Sequence, residues 1–347
     1  MLKLLFFSTS LIFNLTAVAS NVVDAHGTDS KTANQLVKQY GKKVDEVETK
    51  ILDIYKQPDS KKKTALLEEQ FEKKIQLVKD IQKKYGYPFV DFQTIIYPDK
   101  KNNYTTIEVI EKNAPERMLF VEKNRPDPED EKNYPDDLIS KMRIYERSFM
   151  ELALFKKAKI EKDDCPYYHC ISGIKNHGLE SKLLALKKGA DSQRKFVIKS
   201  LKDKDSERRG AAAYLVGLFD DPHEIIQLVL PLVTDINEGV RNNAVRVIAS
   251  TVEKAKMTEI DIVPFIKLLD SPYILDRNKS LWVLVGTSKN PKQQAIIKQK
   301  ARYRLIELLK LTQPNNHEPA YIILKNISGK NYSEHDYKAW KKWADLS

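Results

Sequence analysis

Apolar residues recur every three or four positions along most of the chain, which is the spacing of one face of a helix. In the first half this pattern covers residues 35–55 and 61–85, and Pro58 interrupts it. We therefore predict two long helices joined by a short turn. Residues 21–31, which precede them, are polar and irregular, and we predict a flexible lead-in there.

The period changes from helical to alternating after this hairpin. β-Branched and aromatic residues dominate residues 88–97, 104–111 and 117–121, and turn-forming residues separate the three runs. Such runs predict a small antiparallel sheet of three strands. A further helical pattern begins at Leu138, directly after Asp137, whose carboxylate can cap the first turn. The first part of the chain is thus predicted to be a small α+β domain.

The second half is repetitive, because residues 209–217, 241–249, 277–285 and 317–325 align with one another. Their first residues are 32, 36 and 40 positions apart. A period of about 35–40 residues with two helices per unit predicts a mainly α fold, an α-solenoid. Small residues recur at one aligned position (Ala212, Ala244, Ser280, Ala320) and aliphatic residues at another (Leu215, Val247, Val283, Ile323).

Charged residues occur in the same register as these repeats. Asp203 lies six positions before Arg209, and Asp235 lies six positions before Arg241. These pairs, with the Ala and Leu or Val positions that follow them, resemble HEAT repeats. The resemblance implies a hydrogen-bonded ladder of Asp and Arg side chains between neighbouring units, with Arg277 in the third.

Three further segments resemble one group of exported bacterial HEAT-repeat proteins that has no assigned biochemical activity. They are VRNNAVRVIA at 240–249, CPYYHC at 165–170 and ISGKNYSEHDYKAWKKWAD at 327–345. The resemblance to a HEAT-like solenoid covers residues 179–347, where Trp340 and Trp343 in the last helix are suited to capping an open helical core.

The N-terminus has the pattern of a cleaved signal peptide: Lys3, a short apolar run and the small residues Ala17 and Ala19. The run is too short to span a bilayer, which needs about 20 residues. We expect an exported protein, periplasmic or secreted, without a transmembrane segment. The predicted divisions are a signal peptide (1–19), an α+β domain (20–160), a Cys-containing junction (161–178) and the solenoid with its cap helix (179–347).

The net charge of +11 is unevenly distributed. Residues 20–164 carry 28 basic and 28 acidic side chains, whereas residues 165–347 carry 30 and 20. Only 12 of the 59 basic residues are Arg, the side chain that nucleic-acid recognition favours, so a nucleic-acid partner is not expected. The helical segment 292–310 carries Lys298, Lys300, Arg302 and Arg304, which form either a solvated face or a surface for an anionic partner.

Cys165 and Cys170 are the only cysteines, and they allow three interpretations. In an exported chain their closeness favours a disulfide. A zinc site would require His169 and His177 in addition, and a Cys nucleophile would require His169 as its base.

The remaining candidate chemistry is sparse. His223-Glu224 and His317-Glu318 open non-equivalent helices, so they are not expected to share a metal ion. Phosphate-binding loops and hydrolase or zinc-protease motifs are absent from the sequence, and no cofactor, metal or catalytic residue is predicted.

The sequence therefore favours a non-enzymatic binding or scaffolding protein of the bacterial envelope, which uses a HEAT-like surface for a protein or an acidic polymer. The alternative is a metal-dependent or Cys-dependent enzyme with its site at the junction near Cys165, His169 and His177.

Overall fold

The computed structural model describes residues 21–95, 102–124, 134–155, 165–171 and 178–346. These residues divide into two compact units. The first contains residues 21–122 and 152–155 together with Leu311–Pro314, and the second contains the other described residues, beginning at Lys123. The predicted signal peptide, 1–19, lies outside the described residues.

Helices and a small sheet form the first unit. Asp29 caps the first helix by accepting a hydrogen bond from the Lys31 amide (2.9 Å), and Ser60 Oγ caps the second. Both helices of the predicted hairpin are therefore present. In chain order the elements are β1 (Asn21–His26), α1 (Ser30–Tyr55), α2 (Lys61–Tyr85), β2 (Phe89–Ile95), β3 (Asn103–Ile110) and α3 (Pro115–Lys123).

The three strands form a mixed sheet, so the prediction of an antiparallel sheet is wrong. The central strand is β3, which pairs antiparallel with β2 and parallel with β1. The predicted flexible lead-in is wrong as well, because residues 21–26 form β1. The predicted third strand, residues 117–121, lies instead within α3.

The two misassigned segments, 21–26 and 117–121, have a physical explanation. The segment that forms β1 is only six residues long and mixes polar with apolar residues, yet Val23 and Ala25 pack against the core of the unit. Pro115 occupies the first position of α3, where its missing N–H costs nothing. The apolar run that follows it is too short for its period to distinguish a helix from a strand.

The core of the first unit lies between α1 and the sheet. Leu36 and Val44 of α1 pack with Phe92 of β2 and Ile107 of β3, and all four are completely buried. The amphipathic pattern of α1 thus faces the sheet, and burial of each such side chain contributes about 1.5–3 kcal/mol to folding.

A buried charged triad lies at the end of this core. The Nδ1 atom of His26 is 2.9 Å from the Glu108 carboxylate, and Arg117 pairs with the same carboxylate and donates to the carbonyl of Val109 (2.9 Å). Gly27 has a φ of 99°, and a Cβ atom there would lie 1.9 Å from the Val109 oxygen. Only glycine fits this close approach.

The second unit is helical in the part that the structure describes. Asp or Asn residues cap many of its helices: Asp205, Asp221, Asn237, Asn290 and Asp336 each accept a hydrogen bond from a main-chain amide of the first turn. The helices are α4 (Leu138–Phe155), α5 (Glu180–Ser192), α6 (Arg194–Ser200), α7 (Ser206–Val216), α8 (Pro222–Val229, continued by a 3-10 turn at Leu230–Thr234), α9 (Glu238–Lys254), α10 (Val263–Leu268), α11 (Ile274–Thr287), α12 (Pro291–Leu309), α13 (Pro314–Ser328) and α14 (Tyr337–Asp345).

Three of the four aligned repeat segments lie on helices that pack side by side. Helix α9 packs against α7 on one side and against α11 on the other. Ala212, Ala244 and Ser280, the aligned small residues of these helices, are completely buried, as a close approach of helices requires. This packing follows the predicted register, whereas the complete four-unit solenoid stays a prediction. Among the described helices, none is both long and apolar enough to cross a membrane.

Candidate functional site

An Asp–Arg ladder connects the three packed helices. Arg209 of α7 donates through Nε and Nη2 to Asp235 (2.8 and 2.9 Å), the acidic residue that precedes α9. Arg241 of α9 donates through Nε to Asp276 of α11 (3.0 Å). Each arginine also donates to a carbonyl of its own turn, Arg209 to Asp203 and Arg241 to Asp235. The ladder residues therefore join neighbouring helices.

Asp203 and Arg277, which the sequence assigns to the ladder, bind other residues in the structure. Asp203 accepts a hydrogen bond from Arg208 Nε (2.9 Å), and Arg208 also binds Asp137 at the start of α4 (2.7 Å). Arg277 is completely buried and donates to the carbonyl of Ser271 (2.5 Å). The acidic partner in the third unit is Asp276, which the sequence analysis missed.

The Cys-containing segment packs on the second unit. The Sγ atoms of Cys165 and Cys170 lie at disulfide-bond distance, as predicted. Lys254 donates to the carbonyls of Cys165 (3.2 Å) and Tyr167 (2.9 Å), which holds the loop against α9. His177, the other candidate ligand at this junction, lies outside the described residues.

His169 of the same segment is buried between α7 and α9. Its amide donates to the carbonyl of Gly217 (2.9 Å), its Nδ1 atom is 2.9 Å from Ser250 Oγ, and its ring stacks on Tyr214 at 5.1 Å. Burial, together with the charges of Arg246 and Lys254, holds the pKa of His169 well below its usual range. A neutral, packed imidazole of this kind has a structural role.

His169 and Tyr214 are part of a polar group that the sequence analysis did not identify. We call Glu146 (α4), His169, Tyr214 (α7), Arg246 (α9) and Lys279 (α11) the Arg246 cluster, because the charge of Arg246 influences the pKa of each of the other four. Burial raises the pKa of Glu146 and of Tyr214. The cluster therefore lies where charges are poorly solvated.

Lys279 is the unusual member of the cluster. Burial and the neighbouring charge of Arg246 lower the pKa of its ammonium group well below the usual range, and the charge of Asp276 only partly opposes them. Among the residues that the structure describes, its Nζ atom has neither a hydrogen bond nor an ion pair. The residue as a whole is half-buried. Arg246 and Lys279 thus place two basic groups on neighbouring helices, α9 and α11, close enough for the charge of one to affect the other.

Members of this cluster occupy equivalent positions in the repeats, which could have been recognised in the sequence. Tyr214 and Arg246 both lie five positions after a ladder arginine, and Asn243 and Lys279 both lie two positions after one. These positions are three residues apart, so they share one face of each helix. Tyr214 Oη donates to Asn243 Oδ1 (2.9 Å), which links that face from α7 to α9.

The predicted basic surface of α12 is largely engaged within the chain. Arg302 Nε donates to the carbonyl of Ala344 (3.0 Å), and Arg304 pairs with Asp270. Lys298 Nζ lies 5.9 Å from the centre of the Trp343 ring. Lys300, which is exposed, is the fourth predicted residue. Three of these four basic side chains therefore contact other residues of the same chain.

The His-Glu pairs of the sequence have separate environments. Glu224 pairs with Arg194, and His223 is exposed. His317 lies beside Glu334 and His335, in the segment that joins α13 to α14.

No family model, curated protein or solved structure matches this chain. The function is therefore inferred from the geometry of the described residues.

Proposed function

We propose that this chain is a non-enzymatic binding or scaffolding protein of the bacterial envelope, which holds an acidic partner on a HEAT-like stack of helices. The observation that carries the proposal is the pair of adjacent cations, Arg246 and Lys279, on neighbouring helices. A carboxylate placed between them would offset their mutual repulsion and would restore the full charge of the Lys279 ammonium group.

The helical stack suits this role. The ladder pairs Arg209–Asp235 and Arg241–Asp276 hold α7, α9 and α11 in register, and neither pair includes Arg246 or Lys279. Repeated helices present extended surfaces in this way, and such surfaces bind other macromolecules without reactive side chains. A carboxylate of the partner that binds Arg246 and Lys279 would therefore be one of several contacts along the stacked helices.

The enzymatic alternative has less support. Sulfur atoms at disulfide distance provide no thiolate nucleophile. A buried imidazole whose pKa is lowered well below the usual range is not poised to exchange protons near pH 7. The Cys165, His169 and His177 region is thus better suited to holding the chain than to chemistry.

Export is part of the proposal. A disulfide between Cys165 and Cys170 would persist in an oxidising compartment, such as the periplasm or the extracellular space. The predicted signal peptide agrees with that environment. Within the envelope, acidic polymers and acidic protein surfaces both offer the carboxylates that the cluster would bind.

We expect Lys279→Met to weaken the binding of fluorescently labelled poly-L-glutamate at least tenfold in a low-salt buffer. Methionine keeps the length and packing of the side chain and removes its charge. Fluorescence anisotropy measures the affinity, and physiological salt should weaken wild-type binding, since the Debye length falls to about 8 Å at 0.15 M. A thermal melt checks that the variant is folded.

Lys300→Met is the matched control, because it removes one exposed cation from α12 and leaves the Arg246 cluster intact. It should retain wild-type affinity. Equal losses in both variants, or a larger loss for Lys300→Met, would contradict the proposed location and favour the surface of α12. Wild-type affinity in both variants would exclude both surfaces.

A further inference from the structure

Three potential metal ligands meet where α13 approaches the segment before α14. They are His317 in the second turn of α13, and Glu334 and His335 in the connection that follows that helix. One ligand atom from each residue can be chosen so that all three lie within 4.8 Å of one another. His317 and Glu334 are half-buried, and His335 is exposed.

The separations between these atoms suit a tetrahedral metal ion. His317 Nε2 is 3.2 Å from Glu334 Oε2, and His335 Nε2 is 3.5 Å from Glu334 Oε1. When metal–ligand bonds are about 2.0–2.1 Å long, the ligand atoms of a tetrahedral site lie about 3.3 Å apart. The two imidazoles thus approach the two oxygens of one carboxylate at close to this distance, and the candidate ligand atoms of all three residues lie within 4.8 Å of one another.

The main chain holds one ring nitrogen of His317. Its Nδ1 atom lies 2.6 Å from the carbonyl oxygen of Leu309, which can only accept a hydrogen bond. Nδ1 therefore carries a proton, and Nε2, which faces Glu334, is the ring nitrogen left to bind a metal ion. A histidine that donates its other ring N–H to a carbonyl is the usual arrangement of a metal ligand in proteins.

The connection that carries the other two ligands is held in place. Trp340, which is completely buried, donates through Nε1 to the carbonyl of Ser333 (3.0 Å), and Tyr321 donates to the carbonyl of Tyr332 (3.0 Å). Ser333 Oγ also accepts from the amide of His335 (3.3 Å). Ligands fixed by surrounding contacts lose little freedom on binding a metal, which favours affinity.

We propose that His317, Glu334 and His335 form a binding site for one divalent transition-metal ion of the zinc class, with a water molecule as the fourth ligand. Two imidazoles and one carboxylate are the donor set that zinc accepts with an open position. Calcium and magnesium prefer sites made of oxygen ligands alone. The site uses none of the residues of the Arg246 cluster, so it stands independently of the proposed function.

Zinc titration of the purified mature protein tests this proposal. Isothermal titration calorimetry should give one Zn²⁺ per chain for the wild type, and both Glu334→Gln and His335→Gln should weaken the affinity at least tenfold. Added Zn²⁺ should also raise the melting temperature of the wild type, because it binds the folded state. Cobalt bound at the same place should give the visible absorption bands of a tetrahedral ion.

His223→Gln is the matched control, since it removes an exposed histidine that is not part of the proposed metal site. It should retain wild-type stoichiometry and affinity. Melting curves without metal establish that all variants are folded, and His335 is exposed, so its replacement does not disturb the core. Zinc binding that is unchanged in Glu334→Gln and His335→Gln, or no binding at micromolar zinc, would overturn the proposal.

Discussion

Replacing Asp276 with alanine should lower the free energy of unfolding by about 3–5 kcal/mol. Asp276 is 1% exposed and accepts hydrogen bonds from Arg241 Nε (3.0 Å) and Ser271 Oγ (2.7 Å). The substitution would leave the guanidinium of Arg241, itself buried, without a countercharge. Such an uncompensated charge costs far more than a lost surface pair, and chemical denaturation measures the difference.

Asp270→Ala provides the comparison within the same repeat. Asp270 pairs with Arg304, and both side chains are partly exposed. Water can solvate the arginine that remains, so we expect a loss of less than about 1 kcal/mol. Similar losses for Asp270→Ala and Asp276→Ala would show that the buried ladder does not hold α9 to α11.

Replacing Glu108 with alanine should destabilise the first unit by a similar amount, about 3–5 kcal/mol. The carboxylate of Glu108 is the shared partner of His26 and Arg117, and all three side chains are buried. Its removal would take the paired carboxylate away from Arg117 in a poorly solvated site and leave the hydrogen bond to the carbonyl of Val109 in place. Because β3 carries Glu108 in the centre of the sheet, the loss should appear as a lower denaturation midpoint of this unit.

Glu69→Ala is the control for this prediction. Glu69 pairs with Lys73 on the exposed side of α2, where water solvates both charges. Its replacement should leave the midpoint close to that of the wild type. A Glu108→Ala protein as stable as Glu69→Ala would mean that the triad contributes nothing to folding.

Most of the helices of the second unit could be predicted from the sequence. Small residues such as Ala212 and Ala244 are buried where helices approach closely, and this need for close approach is what makes them recur in the repeat. Aspartate and asparagine residues such as Asp205 and Asn237 cap helices through a local hydrogen bond, so their positions mark where helices begin. Recurring small residues and helix caps could be recognised because one follows a fixed period and the other involves only neighbouring residues.

The features that the sequence did not predict depend on distant contacts. Strand β1 is short, and its pairing partner, the parallel strand β3, lies about 80 residues away along the chain. Asp276, the acidic partner of Arg241, lies directly before Arg277 and outside the spacing seen in the first two repeats. The Arg246 cluster combines residues from α4, α7, α9, α11 and the Cys-containing segment, and no local pattern connects them.

The titration of Lys279 itself tests whether its amine is poorly solvated and binds an anionic group. Reductive methylation with ¹³C-formaldehyde makes each lysine visible by NMR, and the signal that disappears in Lys279→Met identifies Lys279.

Lys279 of the free protein should titrate well below the usual range of a lysine, because burial and Arg246 disfavour its charged form. Adding poly-L-glutamate should move its pKa upward, since a bound carboxylate stabilises the protonated amine. A Lys279 that titrates in the usual range of a lysine and does not respond to the polymer would contradict the proposed binding of an acidic partner.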